Sequence, residues 1–276
     1  MENLSFHVNW FKICIFSAIC FILVNKYVVL LFPAPPKFID KWKKIWLWKN
    51  ILTSFIHSCL SSALAFYSLY SSPAMLKDML YTWNSLAYCT LSLSMGYFVY
   101  DLMNLIINDL GRGLCVIIHH ILVIFIFYLS VSHKKYIPFA LCALLMEINS
   151  IFLHSRRLLN MTDADPDGLA LKVNRILLTV TFVIFRLVAC SWMVTFIVAQ
   201  RHFISQLHFQ FGILGMSVVI PQNMFLLKQV WTSDAKRMKQ LSQTEIEKAK
   251  EQNVNNNSRL AKVKQFLQMT IDRSAE

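Results

Sequence analysis

The chain has 276 residues, of which 56% are hydrophobic and 15% charged, and its formal net charge at pH 7 is +12. Soluble globular proteins usually carry about 25% charged residues, so this composition excludes an ordinary soluble domain. Phenylalanine outnumbers glycine by 21 to 6, which excludes a collagen-like or disordered chain.

Seven long apolar segments follow one another along the chain, and each has about 19–25 residues. A helix of that length crosses a hydrocarbon core of ~30 Å, and it is the only single segment that satisfies its own backbone hydrogen bonds there. The segments are 10–32, 50–71, 84–107, 114–132, 136–154, 175–199 and 205–227. We therefore predict an all-α polytopic membrane protein with about seven transmembrane helices.

The first segment, 10–32, is longer than the ~7–15-residue apolar core of a signal peptide, and no A-x-A site follows it. We therefore expect it to remain as a transmembrane helix. The proline-rich stretch FPAPPKF then interrupts the chain. These observations predict three parts: an N-terminal transmembrane helix with its connector (1–39), a main membrane domain (40–230) and a polar cytosolic tail (231–276).

Lysine and arginine are unequally distributed between the two sets of loops, with a bias of about three to one. The rich set comprises the 33–49, 108–113 and 155–175 loops and the start of the tail. Because Lys and Arg in short loops mark the cytoplasmic side, we predict that the N-terminus is outside or lumenal and the C-terminus cytosolic.

The segment KFIDKWKKIWLWKN mixes lysine with Trp42, Trp46 and Trp48. This mixture is typical of a membrane interface that contacts anionic lipid headgroups. We expect no nucleic-acid partner, because no soluble domain presents the positive charge.

Several polar side chains interrupt the apolar segments. An ionisable residue at the middle of a transmembrane helix costs about 2.5 to 3.5 kcal/mol, so each one requires a reason. The set is His57, Asp101, His119, His120, Glu147, Asn149, His154, Arg186, Gln222 and Asn223. At 1.5 Å per residue, most lie ~6–12 Å below the predicted cytosolic boundary, with Arg186 deeper. A single polar layer predicts an intramembrane chamber open to the cytosol, and polar pairing between packed helices is the alternative.

The adjacent histidines carry the chemical hypothesis. Neighbouring side chains on a helix point about 100° apart, so we expect one histidine to face the chamber and the other to contact a neighbouring helix. A neutral imidazole beside a carboxylate is a general base, which suits acyl transfer from acyl-CoA, the candidate co-substrate. The candidate catalytic residues are His119, His120, Asp101 and Glu147, and the candidate lipid- or acyl-CoA-binding residues are His57, Tyr97, Asn149, Arg186, Gln222 and Asn223.

Metal binding is the competing interpretation of two histidines near carboxylates. Membrane desaturases generally carry several HxxHH or HxxxH boxes, whereas this chain has one bare pair, His119 and His120. We therefore predict neither a metal site nor a resident cofactor.

Three segments resemble the core signatures of the TLC domain, which ceramide synthases, translocating-chain-associated membrane proteins and several lipid-homeostasis proteins share. They are SLSMGYFVYDLMNLI, CVIIHHILVIFIFYLSV and LLMEINSIFLHSRRLL. A fourth, WLWKNILTSFIHSCLSSALAFY, is most similar to the small TLC-domain proteins associated with plasma-membrane phospholipid composition and fluidity. The resemblance covers about 40–230 and implies a six-helix TLC core preceded by an N-terminal helix.

In ceramide synthases the adjacent histidines belong to the catalytic centre, and the matching positions here are His119 and His120, with Asp101 matching the acid of the preceding signature. The following helix departs from the family pattern, because MEINS stands where ceramide synthases have an HDxSDxxLE-type motif. The resemblance implies a role in setting membrane phospholipid acyl composition.

Three functions follow as hypotheses. The first is a regulator of phospholipid acyl composition and membrane fluidity, placed in the plasma membrane or else in the endoplasmic reticulum. Its expected partners are membrane phospholipids, with acyl-CoA or lipid-synthesising enzymes. The second is an acyl-CoA-dependent lipid acyltransferase that uses His119 or His120 as general base. The third is a channel-associated or cargo-receptor role.

Overall fold

The computed structural model describes residues 9–162, 164–165, 168–233, 235, 242–243, 246 and 250, with only the backbone at 112 and 113. Within these residues there is no strand, and seven helices are long and apolar enough to cross a membrane. They are α1 (Trp10–Leu31), α2 (Trp42–Ser71), α3 (Ser85–Gly111), α4 (Leu114–His133), α5 (Ile137–Met161), α6 (Leu169–Ala199) and α7 (Gln206–Ser233). The prediction of an all-α polytopic membrane protein is confirmed.

Several helices extend beyond their predicted apolar segments, and three of them show why. α2 begins at Trp42 rather than at 50, α5 ends at Met161 rather than at 154, and α6 begins at Leu169 rather than at 175. In each case the helix continues through charged sequence that hydropathy alone does not include. The predicted polar tail, 231–276, lies outside the described residues except for 231–233, 235, 242, 243, 246 and 250.

α1 packs closely along α3. The Tyr88 hydroxyl accepts a hydrogen bond from the backbone N–H of Trp10 at 2.9 Å, and the Ser17 hydroxyl donates to the Leu93 carbonyl at 2.6 Å. Gly96 faces this contact, and a Cβ placed there would lie 2.6 Å from the Cβ of Ser17. The two helices therefore approach at a distance that only glycine permits.

α3 and α4 form a hairpin. The backbone leaves the helical region at Asp109 (φ −151°, ψ 43°), where the chain reverses direction. Phe98 on α3 then contacts Phe127 on α4, with ring centroids 6.0 Å apart, and both rings belong to the largest apolar core cluster. This pairing brings the Asp101 region of α3 beside the His119–His120 region of α4.

The connector between α1 and α2 is fixed by packing. Trp48 Nε1 donates to the carbonyl of Phe32 at 3.1 Å, which joins the end of α1 to the first turns of α2. Val28, Trp48 and Leu52 form a small core cluster, against which Leu158 of α5 packs. The end of α1, the beginning of α2 and the end of α5 therefore meet at one end of the bundle.

α2 carries buried small polar residues, and one of them, Ser58, bonds to Glu147 of α5. Ser54, Ser58, Ser61 and Ser62 are all buried. Small residues let transmembrane helices approach closely and hydrogen-bond across the interface. This close contact brings α2 within reach of the middle of α5.

α5 and α6 are each irregular in the middle. α5 consists of Ile137–Leu144 and Glu147–Met161, and the intervening turn is tightened by a bond from Met146 N–H to the Ala143 carbonyl at 3.1 Å. α6 contains a π-helical segment, Val183–Val188, between two α-helical parts.

The chain divides into two compact units, Met1–Asn223 and Met224–Glu276, and the site described below lies within the first.

Candidate functional site

A cavity of about 120 Å³ lies between α3, α4, α5, α6 and α7. Its wall is mostly apolar, and five polar side chains line it: His119, Glu147, Arg186, Gln222 and Asn223. These five residues are called the polar end of the cavity below.

Helix direction explains why the polar residues share one end. On α4 and α6 the lining residues begin with His119 and Arg186 and continue with apolar residues later in the chain. On α5 and α7, which run the opposite way, the apolar lining residues come first and the set ends with Glu147 and with Gln222 and Asn223. Antiparallel neighbours therefore bring all five to the same level.

The break in α5 positions Glu147. This residue occupies the first turn of Glu147–Met161, where the helix dipole favours a negative charge. Its Oε2 accepts a hydrogen bond of 2.6 Å from the hydroxyl of Ser58 on α2. One carboxylate oxygen is thereby held by a neighbouring helix while the side chain lines the cavity.

The π-helical segment of α6 carries Arg186. Its Nη1 donates to Oδ1 of Asn223 at 2.8 Å, and its Nη2 donates to the hydroxyl of Ser150 at 2.9 Å. Asn223 in turn donates to the sulfur of Cys190 at 3.3 Å. Neutral groups on α5 and α7 thus hold the guanidinium, and its positive charge remains available to the cavity.

The two histidines have different surroundings. His119 lines the cavity, whereas His120 is buried beside Asp101, with 3.5 Å between Nδ1 of His120 and Oδ2 of Asp101. The His120 ring also packs against Phe98 at a centroid distance of 5.2 Å. His119 is therefore the histidine that a cavity ligand would meet first.

His57 and Tyr97 belong to a separate packed group. Their rings stack with centroids 3.6 Å apart and planes 8° apart, and His57 is fully buried. Within the described part of the chain, neither ring nitrogen of His57 has a hydrogen-bond partner. Phe21 of α1 closes this group with an edge contact to each ring, at 5.7 Å from His57 and 5.0 Å from Tyr97.

Asn149 joins α5 to α6. Its amide nitrogen donates to the Leu178 carbonyl and to the Thr181 hydroxyl, each at 3.0 Å. Its side chain is buried in that helix contact and is not among those that line the cavity.

The structure thus divides the ten predicted site residues. It brings His119, Glu147, Arg186, Gln222 and Asn223 together at the cavity. His57, Tyr97, Asp101 and His120 lie instead in packed groups between α2, α3 and α4, and Asn149 lies between α5 and α6.

Sequence reasoning missed two residues that support Glu147 and Arg186. Ser58 holds Glu147, and Cys190 holds the amide that binds Arg186. A serine or cysteine within an apolar segment gives no distinct signal, because both are common packing residues in transmembrane helices.

The chemistry available at the polar end is that of a carboxylate, a guanidinium, an imidazole and two amides. Among the residues described, no three His, Cys, Asp or Glu side chains are grouped so that they could hold a metal ion. The arrangement suits a molecule with an apolar chain and a polar head, because one end of the cavity offers charge and hydrogen bonds and the rest offers apolar wall.

Comparison with known proteins identifies the domain. The family model for the TLC domain (TRAM_LAG1_CLN8) matches residues 47–235. TLC domain-containing protein 2 of Danio rerio is 32% identical over 210 residues, which are 76% of this chain and 84% of that protein. TLC domain-containing protein 2 of Mus musculus is 32% identical over 176 residues, which are 63% of this chain and 55% of that protein.

TLC domain-containing protein 1 of Mus musculus is 29% identical over 154 residues, which are 55% of this chain and 62% of that protein. The match therefore covers less than two thirds of the length of either mouse relative. No solved structure matches the chain. Membership of the family suggests a role related to membrane lipids, and by the match to its model this chain belongs to the TLC-domain family.

Proposed function

We propose that this protein binds a lipid in the cavity lined by the five helices α3 to α7. Through this binding it regulates the phospholipid acyl composition and fluidity of its membrane. One observation carries the proposal: an apolar cavity ends in a carboxylate, a guanidinium and an imidazole that belong to Glu147, Arg186 and His119.

The cavity provides for both parts of a lipid. Each methylene group transferred into an apolar wall contributes about 0.8 kcal/mol, so the apolar wall favours an acyl chain. Arg186 offers a positive charge to phosphate or carbonyl oxygens of the head, and Glu147 accepts hydrogen bonds from hydroxyl or amino groups. The head therefore lies at the polar end and the chain extends away from it.

The proposal includes a location and an orientation. The membrane is the plasma membrane, with the endoplasmic reticulum as the other candidate, and the chamber opens to the cytosol. Partners are membrane phospholipids and lipid-synthesising enzymes. A protease added to the cytosolic side should remove a tag placed after Glu276, and protection of that tag would contradict the orientation.

The test of function replaces the charged residues of the polar end. Cells that lack the protein would express the wild type, Glu147→Gln or Arg186→Gln, and their phospholipids would be profiled by mass spectrometry. Matched controls are Asp40→Asn and Arg201→Gln, because both residues are exposed outside the helices that line the cavity.

We expect the wild type and both controls to restore the acyl composition, and the two cavity variants to fail although they are expressed and localised normally. Full restoration by Glu147→Gln and Arg186→Gln would exclude the cavity as the functional site.

A second candidate function is acyl transfer, and the position of His119 in the same cavity as Glu147 favours it. In this reaction a lysolipid hydroxyl attacks the acyl-CoA thioester. His119 takes the hydroxyl proton, the new ester bond forms as the carbon–sulfur bond breaks, and the proton passes to the departing CoA thiolate. Acyl-CoA supplies the acyl group, so no other reactant is needed.

Purified protein given labelled acyl-CoA and lysolipids tests this step through the labelled ester and the free thiol, which should appear in equal amounts. His119→Ala should abolish both products, whereas the exposed His202→Ala should not change them. Lipid binding without any product from the wild type would leave regulation as the function and exclude transfer.

A further inference from the structure

A second, smaller cavity of about 60 Å³ adjoins the first. The two have five lining residues in common: Ile126, Phe139, Ala140, Ile197 and Gly212. Because these shared residues lie on four different helices, the two cavities are adjacent within the bundle.

The second cavity lies further from the polar end than the first. On α4 its lining continues from Ile126 to Ser130, away from His119, and at the start of α5 it extends back to Tyr136, the residue before the helix, away from Glu147. On α7 it extends back to His208, away from Gln222. The two cavities are therefore in line along the bundle, with the polar end at one extreme.

We propose that the two cavities form one acyl-chain site and that the junction at Gly212 sets the length of the chain it accepts. This inference rests on the proposed function, because it assigns the ligand's chain to a path that begins at the polar end. The smaller cavity is called the distal cavity below, and it receives the methyl end of a long chain.

The side chain at position 212 determines how wide the passage between the two cavities is, and this chain has glycine there. Gly212 lines both cavities, and a Cβ placed on it would lie 3.3 Å from Cδ1 of Ile197, with no nearer atom. A methyl group fits there with a small shift of the Ile197 side chain, whereas a branched side chain fills the passage between the cavities.

Two polar aromatic side chains, Tyr136 and His208, lie at the far side of the distal cavity. The rings of Tyr136 and His208 lie 4.7 Å apart, and the Tyr136 hydroxyl accepts a hydrogen bond from the backbone N–H of Ser205 at 3.4 Å. Both side chains line the distal cavity beyond its apolar wall. A chain that passes the junction therefore meets an imidazole and a phenol at the far side of the distal cavity.

Two variants should change chain length in opposite directions. Gly212→Val should exclude the end of the chain from the distal cavity, and each excluded methylene should lower relative affinity about 4-fold, which corresponds to ~0.8 kcal/mol. Phe196→Ala should enlarge the distal cavity, because Phe196 lines that cavity and not the first. The control is Gly111→Val, since a Cβ at Gly111 would meet no atom within 4 Å.

The experiment purifies the full chain and its variants from the same cells and identifies the acyl chains of the bound lipids by mass spectrometry. A graded series of monoacyl lipids, from medium to very long chains, then competes for the site. We expect shorter chains in Gly212→Val, longer chains in Phe196→Ala and an unchanged distribution in Gly111→Val.

The outcomes separate this inference from the proposed function. A wild type that binds lipid, together with unchanged chain lengths in both variants, overturns the chain-length assignment alone. A wild type that holds no lipid overturns both. If Gly212→Val does not fold, Phe196→Ala decides: longer chains support the inference, and unchanged chains overturn it.

Discussion

The contact between α1 and α3 makes a sharp prediction about stability. In Gly96→Ala, the new methyl group would overlap the backbone carbonyl oxygen of Cys14 and lie 2.6 Å from the Cβ of Ser17. A backbone oxygen within a helix does not rotate away as a side chain does, so α1 must move from α3. That movement also strains the hydrogen bond of 2.6 Å from Ser17 to the Leu93 carbonyl.

The magnitude follows from three contributions. Overpacking costs about 1–3 kcal/mol, and weakening the Ser17 bond costs up to about 1 kcal/mol more. Replacing helical glycine by alanine returns up to about 1 kcal/mol. We therefore expect Gly96→Ala to lower the free energy of unfolding by about 1–3 kcal/mol. Gly111→Ala, which meets no atom, should leave it unchanged or raise it.

Unfolding of both variants in the same detergent micelles, followed by circular dichroism, measures the difference. Because α1 contributes no side chain to the cavity wall, lipid binding by the folded fraction should match that of the wild type. Equal stability of the two alanine variants would refute the close approach of α1 and α3. Loss of lipid binding by a stable Gly96→Ala variant would refute the expectation that the contact between α1 and α3 does not affect the cavity.

Three further substitutions test other contacts. Ser58→Ala removes the bond to Glu147 and should cost about 1–3 kcal/mol in unfolding free energy and weaken lipid binding, because a partly buried carboxylate loses its donor; an unchanged affinity would show that the carboxylate does not depend on this contact. Trp48→Phe removes the bond to the Phe32 carbonyl and should cost about 0.5–1.5 kcal/mol, measured as above, with lipid binding retained. In the loop after α2, slight burial raises the pKa of the Asp78 carboxyl, but hydrogen bonds from the following turn outweigh it and hold the pKa below its ordinary value. Its contribution to stability is therefore complete above the ordinary aspartate pKa of about 3.9 and is lost as pH falls through the folded value. Asp78→Asn should flatten unfolding free energy against pH in that acid range, and an unchanged curve would contradict the role of these bonds.

The sequence predicts the helices well because a transmembrane segment must be continuously apolar, which is a local property. It predicts their ends less well: Trp42 begins α2 although charged residues surround it, since interfacial sequence remains helical without being apolar. The sequence also does not predict which of His119 and His120 lines the cavity and which lies beside Asp101. A 100° separation requires different surroundings, but which histidine meets Asp101 depends on how α3 and α4 pair at Asp109.

The irregular parts of α5 and α6 connect the fold to the proposed function. A regular helix satisfies every backbone group in hydrocarbon, so a break at membrane depth persists only where protein or a cavity surrounds it. Here one break directly precedes Glu147, and the π-helical segment contains Arg186. π-Helical turns are frequent at functional sites.

Each irregular part also carries a charged residue that needs stabilising partners within the membrane. The first gives Glu147 a helix N-terminus and the Ser58 hydroxyl, both of which stabilise a carboxylate. The second contains Arg186, whose guanidinium donates hydrogen bonds to Asn223 and Ser150. Two opposite charges can then face one cavity, each held by neutral partners, and a ligand with a polar head meets both. A pair that hydrogen-bonded only to each other would leave fewer groups for a lipid head, and this difference supports the proposed binding role of the polar end.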